Sequence, residues 1–493
     1  MQIESLFVLP GTTSKAHLTK SKLSYRRNLL MASSATAVAA PLSAVLPATA
    51  HTARFSVVPA LARRNTYQQT NLAASTAKCN TQFTFKGHVD AWGIAIRPAG
   101  AGGHFWVTAG GTSYQFVGDV TASAAPGLRK LFQDGLAEVY LPGADVLFTK
   151  DSIGKVTGTV FSGAPIDSQN FRINQQAATA NGSTVQFDGS ARFLFVTDSG
   201  TISAWTDRTV SGAAMRVNGP SQLAFKGADQ GMSFFGVAVK TDTWDVLWTA
   251  NFGIDPQICQ FDKNFKLVPT QAFINPFATG EASDPAAQDC DRKARLGDPV
   301  PFNIQVVNGR AFVMYCVSQV LRNEAGFIAD ARQFFSSEED SLDAAGEDKV
   351  SGFPNRGKLI EYTLAGDMVR IYEDLGRLNA PWGVAIAPAN FGLLSNMLLV
   401  GNFGGAAKIA AFNQTTGRLI DFMRDASNNV IGLDGTWGLI FGNGVSLGDT
   451  NAPYFAAGTD GEVAGLFGSI RDVGKPKNSH NNYLSVIESP TCK

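Results

Sequence analysis

The segment Ala91-Trp92-Gly93-Ile94-Ala95-Ile96-Arg97-Pro98 recurs as Pro381-Trp382-Gly383-Val384-Ala385-Ile386-Ala387-Pro388, with five of eight positions identical. Thr436-Trp437-Gly438-Leu439-Ile440-Phe441 is a third copy, and Phe235-Gly236-Val237-Ala238-Val239 a fourth. Pro301-Phe302-Asn303-Ile304-Gln305-Val306-Val307 and Val156-Thr157-Gly158-Thr159-Val160-Phe161 follow the pattern more loosely, which makes six starts. A short apolar strand recurring once per unit signals a radially repeated architecture.

Each start is followed by a second apolar run, at residues 104–108, 193–197, 246–250, 311–315, 397–401 and 453–457. Most of these runs end in a small or amide residue, as in Asn251-Phe252-Gly253 and Asn402-Phe403-Gly404. A third run appears at 202–205, 258–261, 359–362 and 409–412, and a Gly-bearing turn with a fourth strand follows at 413–420. The pattern predicts an all-β protein, a six-bladed β-propeller with four antiparallel strands per blade. The competing reading, a pair of β-sandwiches, leaves the regular spacing of the copies unexplained.

Composition agrees with many short strands joined by tight turns: 50 Gly, 34 Phe and only 17% charged residues. Basic and acidic residues balance at 41 each, which argues against nucleic acid or an anionic membrane as partner. No apolar run reaches the length of a membrane span. The five cysteines form no CxxC pair and His is scarce, which argues against zinc. Cys316, beside an apolar run, reads as a buried thiol. Cys79 and Cys492, near the two ends of the folded body, are a candidate disulfide that would staple the ring in an oxidising compartment.

Arg26-Arg27-Asn28-Leu29-Leu30 precedes a mild apolar stretch and the small residues Ala48-Thr49-Ala50. Residues 1–50 read as an export signal, giving a secreted or periplasmic location. The paired arginines resemble a twin-arginine signal; an ordinary signal with a long charged start is the alternative. Residues 51–66, with Arg63-Arg64, read as a linker or removable pro-segment. The propeller occupies 67–475 and a tail 476–493. Two stretches interrupt the repeats: 275–299 as a long loop, and the acidic 321–357 as an insertion between the second and third strands of the fourth unit. Asn181-Gly182-Ser183 and Asn413-Gln414-Thr415 are glycosylation sequons, meaningful in a eukaryotic source.

Tyr67-Gln68-Gln69-Thr70-Asn71-Leu72, Ser199-Gly200-Thr201-Ile202-Ser203-Ala204-Trp205, Asn379-Ala380-Pro381-Trp382-Gly383 and Ala464-Gly465-Leu466-Phe467-Gly468-Ser469-Ile470 resemble a family of exported bacterial and fungal proteins of unassigned function. The resemblance covers about residues 67–470. It departs at residues 73–85 and at Asp90-Ala91-Trp92-Gly93, where the family has Asn-Pro-Trp-Gly. It implies a propeller and export, and no activity.

Strand starts and second-strand ends are expected around one mouth of the channel, the usual ligand site of the fold by analogy. They bring Asp90, Asp198, Asn251, Asn303, Asn402, Asp434 and Asp460 there as candidate ligand-binding residues, with Thr157, Thr436 and Thr459. Amide and carboxylate oxygens suit a hard cation, with Asn303, Asn402, Asp198 and Asp460 as ligands and Ca²⁺ as the expected cofactor. The same residue types also cap turns by accepting backbone N–H groups, and the repeat of Asn-Phe-Gly in two units favours that role. His88, two residues before Asp90, is the candidate general base. Trp92, Trp382 and Trp437 read as packing residues first and as stacking platforms for a sugar or aromatic ligand second. No nucleophile elbow and no phosphate loop is present.

Two functions follow. One is an exported, monomeric binding or scaffold propeller that holds a small molecule, polysaccharide or protein at its channel mouth or acidic insertion. The other is a calcium-dependent hydrolase, lactonase-like, or a lyase, acting at that mouth.

Overall fold

The computed structural model describes residues 65–98, 103–142, 154–178, 182–219, 221–281, 292–319, 335–336, 356–405 and 407–474. All belong to one compact unit, Leu61–Lys493. The expected export signal, most of the expected linker, the C-terminal tail and nearly all of the acidic insertion therefore lie outside the described residues.

Six sheets of antiparallel strands follow one another along the chain, among the described residues. Blade 1 runs Ala91–Ala95, Phe105–Ala109, Thr112–Phe116 and Glu138–Tyr140 from the axis outward. Blade 2 runs Val156–Phe161, Phe193–Thr197, Thr201–Trp205 and Gln222–Lys226. Blade 3 is Phe234–Val239, Leu247–Asn251, Gln257–Phe261 and Leu267–Val268. Blade 4 is Pro299–Val307, Arg310–Gln319, Gly357–Tyr362 and Met368–Ile371. Blade 5 is Pro381–Ile386, Met397–Asn402, Ile409–Asn413 and Leu419–Phe422. This is the six-bladed propeller expected from the repeats. Among the described residues no helix is long and apolar enough to cross a membrane.

Blade 6 differs in its chain path. Thr436–Phe441, Pro453–Ala457 and Leu466–Asp472 come from the end of the repeat region, and Tyr67–Ala74 from its beginning supplies the fourth strand, with the short Phe83–Thr84 paired parallel outside it. Tyr67 pairs with Asp472 and Ala74 with Leu466, antiparallel. The strand is fixed at its start as well. The Tyr67 hydroxyl donates to the Phe391 carbonyl and accepts from the Leu394 N–H, while Asn65 bonds Asp421 and the Phe422 carbonyl of blade 5. Pairing first strand to last closes the circle and leaves no open end between blades.

The second strands of blades 1, 2, 3 and 6 are buried at every position. Neighbouring blades cover both faces of these strands, so their sequences are continuous apolar runs rather than alternating ones. Trp106 of blade 1 stacks on Phe193 of blade 2 with centroids 4.0 Å apart. Between blades 6 and 1, Arg471 bonds Asp119 at 2.8 Å and Asp449 at 3.0 Å, and Tyr454 donates to Asp119 at 2.6 Å.

Between the first and second strands of blade 2 lies a hairpin, Arg172–Ala178 paired with Thr184–Ser190. The Asn181-Gly182 dipeptide, read above only as part of a sequon, is also a hairpin-turn signal. The second sequon is structural: the Asn413 side chain accepts the Thr415 and Thr416 N–H groups at 2.9 Å. Cys316 is fully buried. Cys79 is disulfide-bonded, and Cys492, its expected partner, lies outside the described residues.

Candidate functional site

The repeated Trp-Gly marker has a geometric cause. In all six blades the pairing of the innermost strand with the second slips at that point. A bulge places an extra residue on one strand and re-aims a side chain. The residues so displaced are Trp92, Thr157, Phe235, Phe302, Trp382 and Trp437. The position after each is Gly in five blades because inner strands crowd there. A Cβ on Gly93 would lie 2.9 Å from the Thr159 nitrogen, and one on Gly438 2.6 Å from the Trp92 carbonyl oxygen. Blade 4 carries Asn303 instead, whose Nδ2 donates to the Trp382 carbonyl of blade 5 at 2.7 Å.

The displaced aromatic side chains meet at the axis. Trp92 and Trp437 stack with centroids 3.4 Å apart, Phe403 stacks on the opposite side of Trp437 at 3.8 Å, and Trp382 stands edge-on to Trp92 at 6.0 Å. Phe235 packs on Phe302 and Phe252, and the Trp382 indole N–H donates to the Phe235 carbonyl at 2.7 Å. The three Trp are buried, so they pack as first expected, but against one another rather than between blades. The strand-start end of the channel, where the ligand mouth was expected, is filled by this plug.

The space lies on the other side of it. A cavity of about 330 Å³ runs along the axis toward the ends of the inner strands. Its wall is apolar, with Ile94, Val237 and Leu439 typical, and Pro98, Phe161 and Trp244 lie along it toward those ends. Few polar groups face it. The Gln305 side-chain oxygen accepts the Val384 N–H at 3.1 Å, and the unpartnered Thr159 hydroxyl is buried away from the open space. An apolar concavity with a few fixed polar atoms is the usual form of a small-molecule site.

The residues predicted from sequence fall into two groups. Asp90 and Asp198 do come together, around Lys155. Asp90 is fully buried, accepts the Trp437 indole N–H at 3.0 Å and pairs with the Lys155 ammonium at 3.3 Å. Lys155 is also 3.9 Å from Glu462. Asp198 accepts the Gly154 N–H at 2.7 Å, and burial pushes its carboxyl up to about 6. The other group caps turns. Asn251 accepts the Ser233 and Gly253 N–H groups, Asn402 that of Asn379, and Asp434 that of Asp460.

This arrangement does not fit the expected calcium. The Asn303 oxygen accepts the Ile304 N–H, Asn402 and Asp198 hold backbone donors, and among the described residues no group of three or more His, Cys, Asp or Glu is placed to hold a metal. The ammonium of Lys155 already stands beside Asp90, where a cation would sit. His88 is fully buried with its ring edge on Tyr114, centroids 5.1 Å apart, and neither ring nitrogen has a partner. Burial holds its imidazole down to about 3. A ring buried in this way exposes neither nitrogen for the general-base role expected of it.

Sequence reasoning missed Lys155, Glu462, Thr159 and Gln305. Lys155 precedes a strand start and had a legible signal: a lone cation flanking an apolar strand. Thr159 and Gln305 had none, since only the ring closure decides which face of an inner strand meets the axis.

No family model matches the chain. Two uncharacterised proteins of Acanthamoeba polyphaga mimivirus are similar to it. One is 29% identical over 237 residues, 48% of this chain and 48% of that protein. The other is 32% identical over 117 residues, 24% of this chain and 30% of that protein. The chain thus spans about half the length, or less, of these curated relatives. Among solved structures, the WD40 β-propeller domain of Doa1 is similar at a TM-score of 0.35 and 10% identity, covering 82% of this chain and 96% of that one.

Proposed function

We propose that the protein is a binding propeller whose site is the axial channel, and that its ligand is a small, mostly apolar molecule. The observation that carries this is the 330 Å³ cavity, lined by the inner strands of all six blades and backed by the aromatic plug. At roughly 30 Å³ per atom, the share of liquid volume that a water takes, it accommodates on the order of ten non-hydrogen atoms. The Arg26-Arg27 segment supports an exported location for this binding role, and Cys79, disulfide-bonded in the closing blade, supports an oxidising one.

The test is titration with 2-naphthol, uncharged and of matching size, followed by its own fluorescence. Saturable one-to-one binding is expected, lost in the channel-filling variants Ile94→Trp and Val306→Trp, at partly exposed lining positions, and kept in Asn402→Ala. Binding that survives both fillings, or no binding to the unaltered chain, overturns the reading.

A further inference from the structure

Resting on that reading, we propose that the channel's ligand is uncharged and carries a carbonyl oxygen, and that Gln305 selects it by donating a hydrogen bond from its side-chain amide.

Gln305 breaks the pattern of the ring. Counting from the bulge, the third position after the displaced residue is Ala95, Val160, Ala238, Ala385 and Ile440 in the other five blades. Blade 4 alone places a polar side chain there, half buried on the wall of the cavity. One end of its amide is fixed. The backbone N–H of Val384, on the inner strand of blade 5, needs an acceptor, and the Gln305 Oε1 supplies it at 3.1 Å. A side-chain amide held by its oxygen turns its nitrogen the other way. That Nε2 has no hydrogen-bond partner among the described residues and is not sealed from open space.

The other free side-chain groups on the wall have the same sense. The Trp244 indole N–H and the Thr241 hydroxyl are half buried and without a hydrogen-bond partner among the described residues. An indole N–H only donates, and a hydroxyl is free to donate. Asn303 is spent, its oxygen on the Ile304 N–H and its nitrogen on the Trp382 carbonyl. Among the described residues that line the cavity there is no Asp, Glu, Lys, Arg or His. A charged ligand would lose its water there and meet no counter-charge. A neutral carbonyl brings an acceptor and no donor of its own. The class that fits these donors and this wall is a ketone or ester with an apolar body.

The experiment is isothermal titration of the full chain with three ligands of one shape. These are acetophenone, α-methylstyrene, in which a methylene group replaces the carbonyl oxygen, and benzoate. Gln305→Met removes the donor. Gln305→Glu keeps an oxygen for the Val384 N–H and puts a second acceptor where the donor stood. Both should weaken acetophenone by roughly three- to ten-fold, the yield of one hydrogen bond between neutral groups, and spare α-methylstyrene. The infrared carbonyl band of bound acetophenone should lie at lower wavenumber in the unaltered chain than in Gln305→Met. Benzoate should bind at least about ten-fold more weakly than acetophenone. Equal loss of acetophenone and α-methylstyrene in both variants, no loss of acetophenone in either, or benzoate as tight as acetophenone overturns the inference, while 2-naphthol binding keeps the channel reading. Failure of acetophenone, α-methylstyrene and 2-naphthol alike overturns both.

Discussion

The indole N–H of Trp382 donates to the backbone carbonyl of Phe235 at 2.7 Å, joining blade 5 to blade 3 across the axis. The bond exists because bulges in both inner strands turn these positions inward. It ties together two units that share no strand pairing.

Trp382→Phe should keep most of the ring packing and lose this donor. The buried Phe235 carbonyl would then stand unmet, at a cost of about 1–3 kcal/mol. Chemical denaturation should show that loss with an unchanged denaturant slope. A variant as stable as the parent would mean that the bond contributes nothing net.

The glycine ring predicts a sharper effect. Gly438→Ala drives a methyl against the Trp92 carbonyl, and Gly383→Ala drives one to within 2.8 Å of the Leu439 nitrogen. Backbone cannot move aside as a side-chain tip can, so each change should cost at least about 3 kcal/mol. Gly127→Ala, with open space around it, is the control and should be silent in the same thermal melt.

Stability should depend on pH through two buried groups with opposite signs. The Asp198 carboxyl is raised from 3.8 to about 6. The folded state therefore holds its proton more tightly, and this stabilising contribution, on the order of 2–3 kcal/mol, is present below pH 3.8 and lost as pH rises through about 6. His88 is lowered from 6.5 to about 3, so its contribution is present above pH 6.5 and lost as pH falls toward 3. Melting temperatures from pH 3 to 8 should lose the first dependence in Asp198→Asn and the second in His88→Leu. Unaltered pH profiles in these variants would refute the assignments.

Ring closure gives a fourth outcome. Tyr67→Phe removes a hydroxyl that serves both the Phe391 carbonyl and the Leu394 N–H. A loss of about 1–3 kcal/mol is expected. It should appear in hydrogen exchange first as deprotection of residues 67–74, because the closing strand is held at that end. Uniform deprotection of all blades would contradict this.

The repeats made the six blades legible, since each Trp-Gly copy marks a bulge that recurs at one place in every inner strand. The acceptor roles of Asn251 and Asn402 were legible too, as short polar side chains after a strand. The hairpin in blade 2 was legible but unread, because Asn181-Gly182 carries two meanings. The closing strand was not, for nothing local to Tyr67–Ala74 says that its partner lies about 400 residues away.

Sequence by itself determined the architecture. Alternating turns and apolar runs set the strands, and the spacing of six similar units set their number. Tertiary structure alone decided the site. Bulges aimed the aromatic residues across the axis and shut the end where polar residues had been expected to gather. The shut end left the cavity at the opposite mouth, where ring closure brings the inner strands of all six blades around it. The residues that line it, from Ile94 to Ile440, are scattered along the chain with no local pattern to join them.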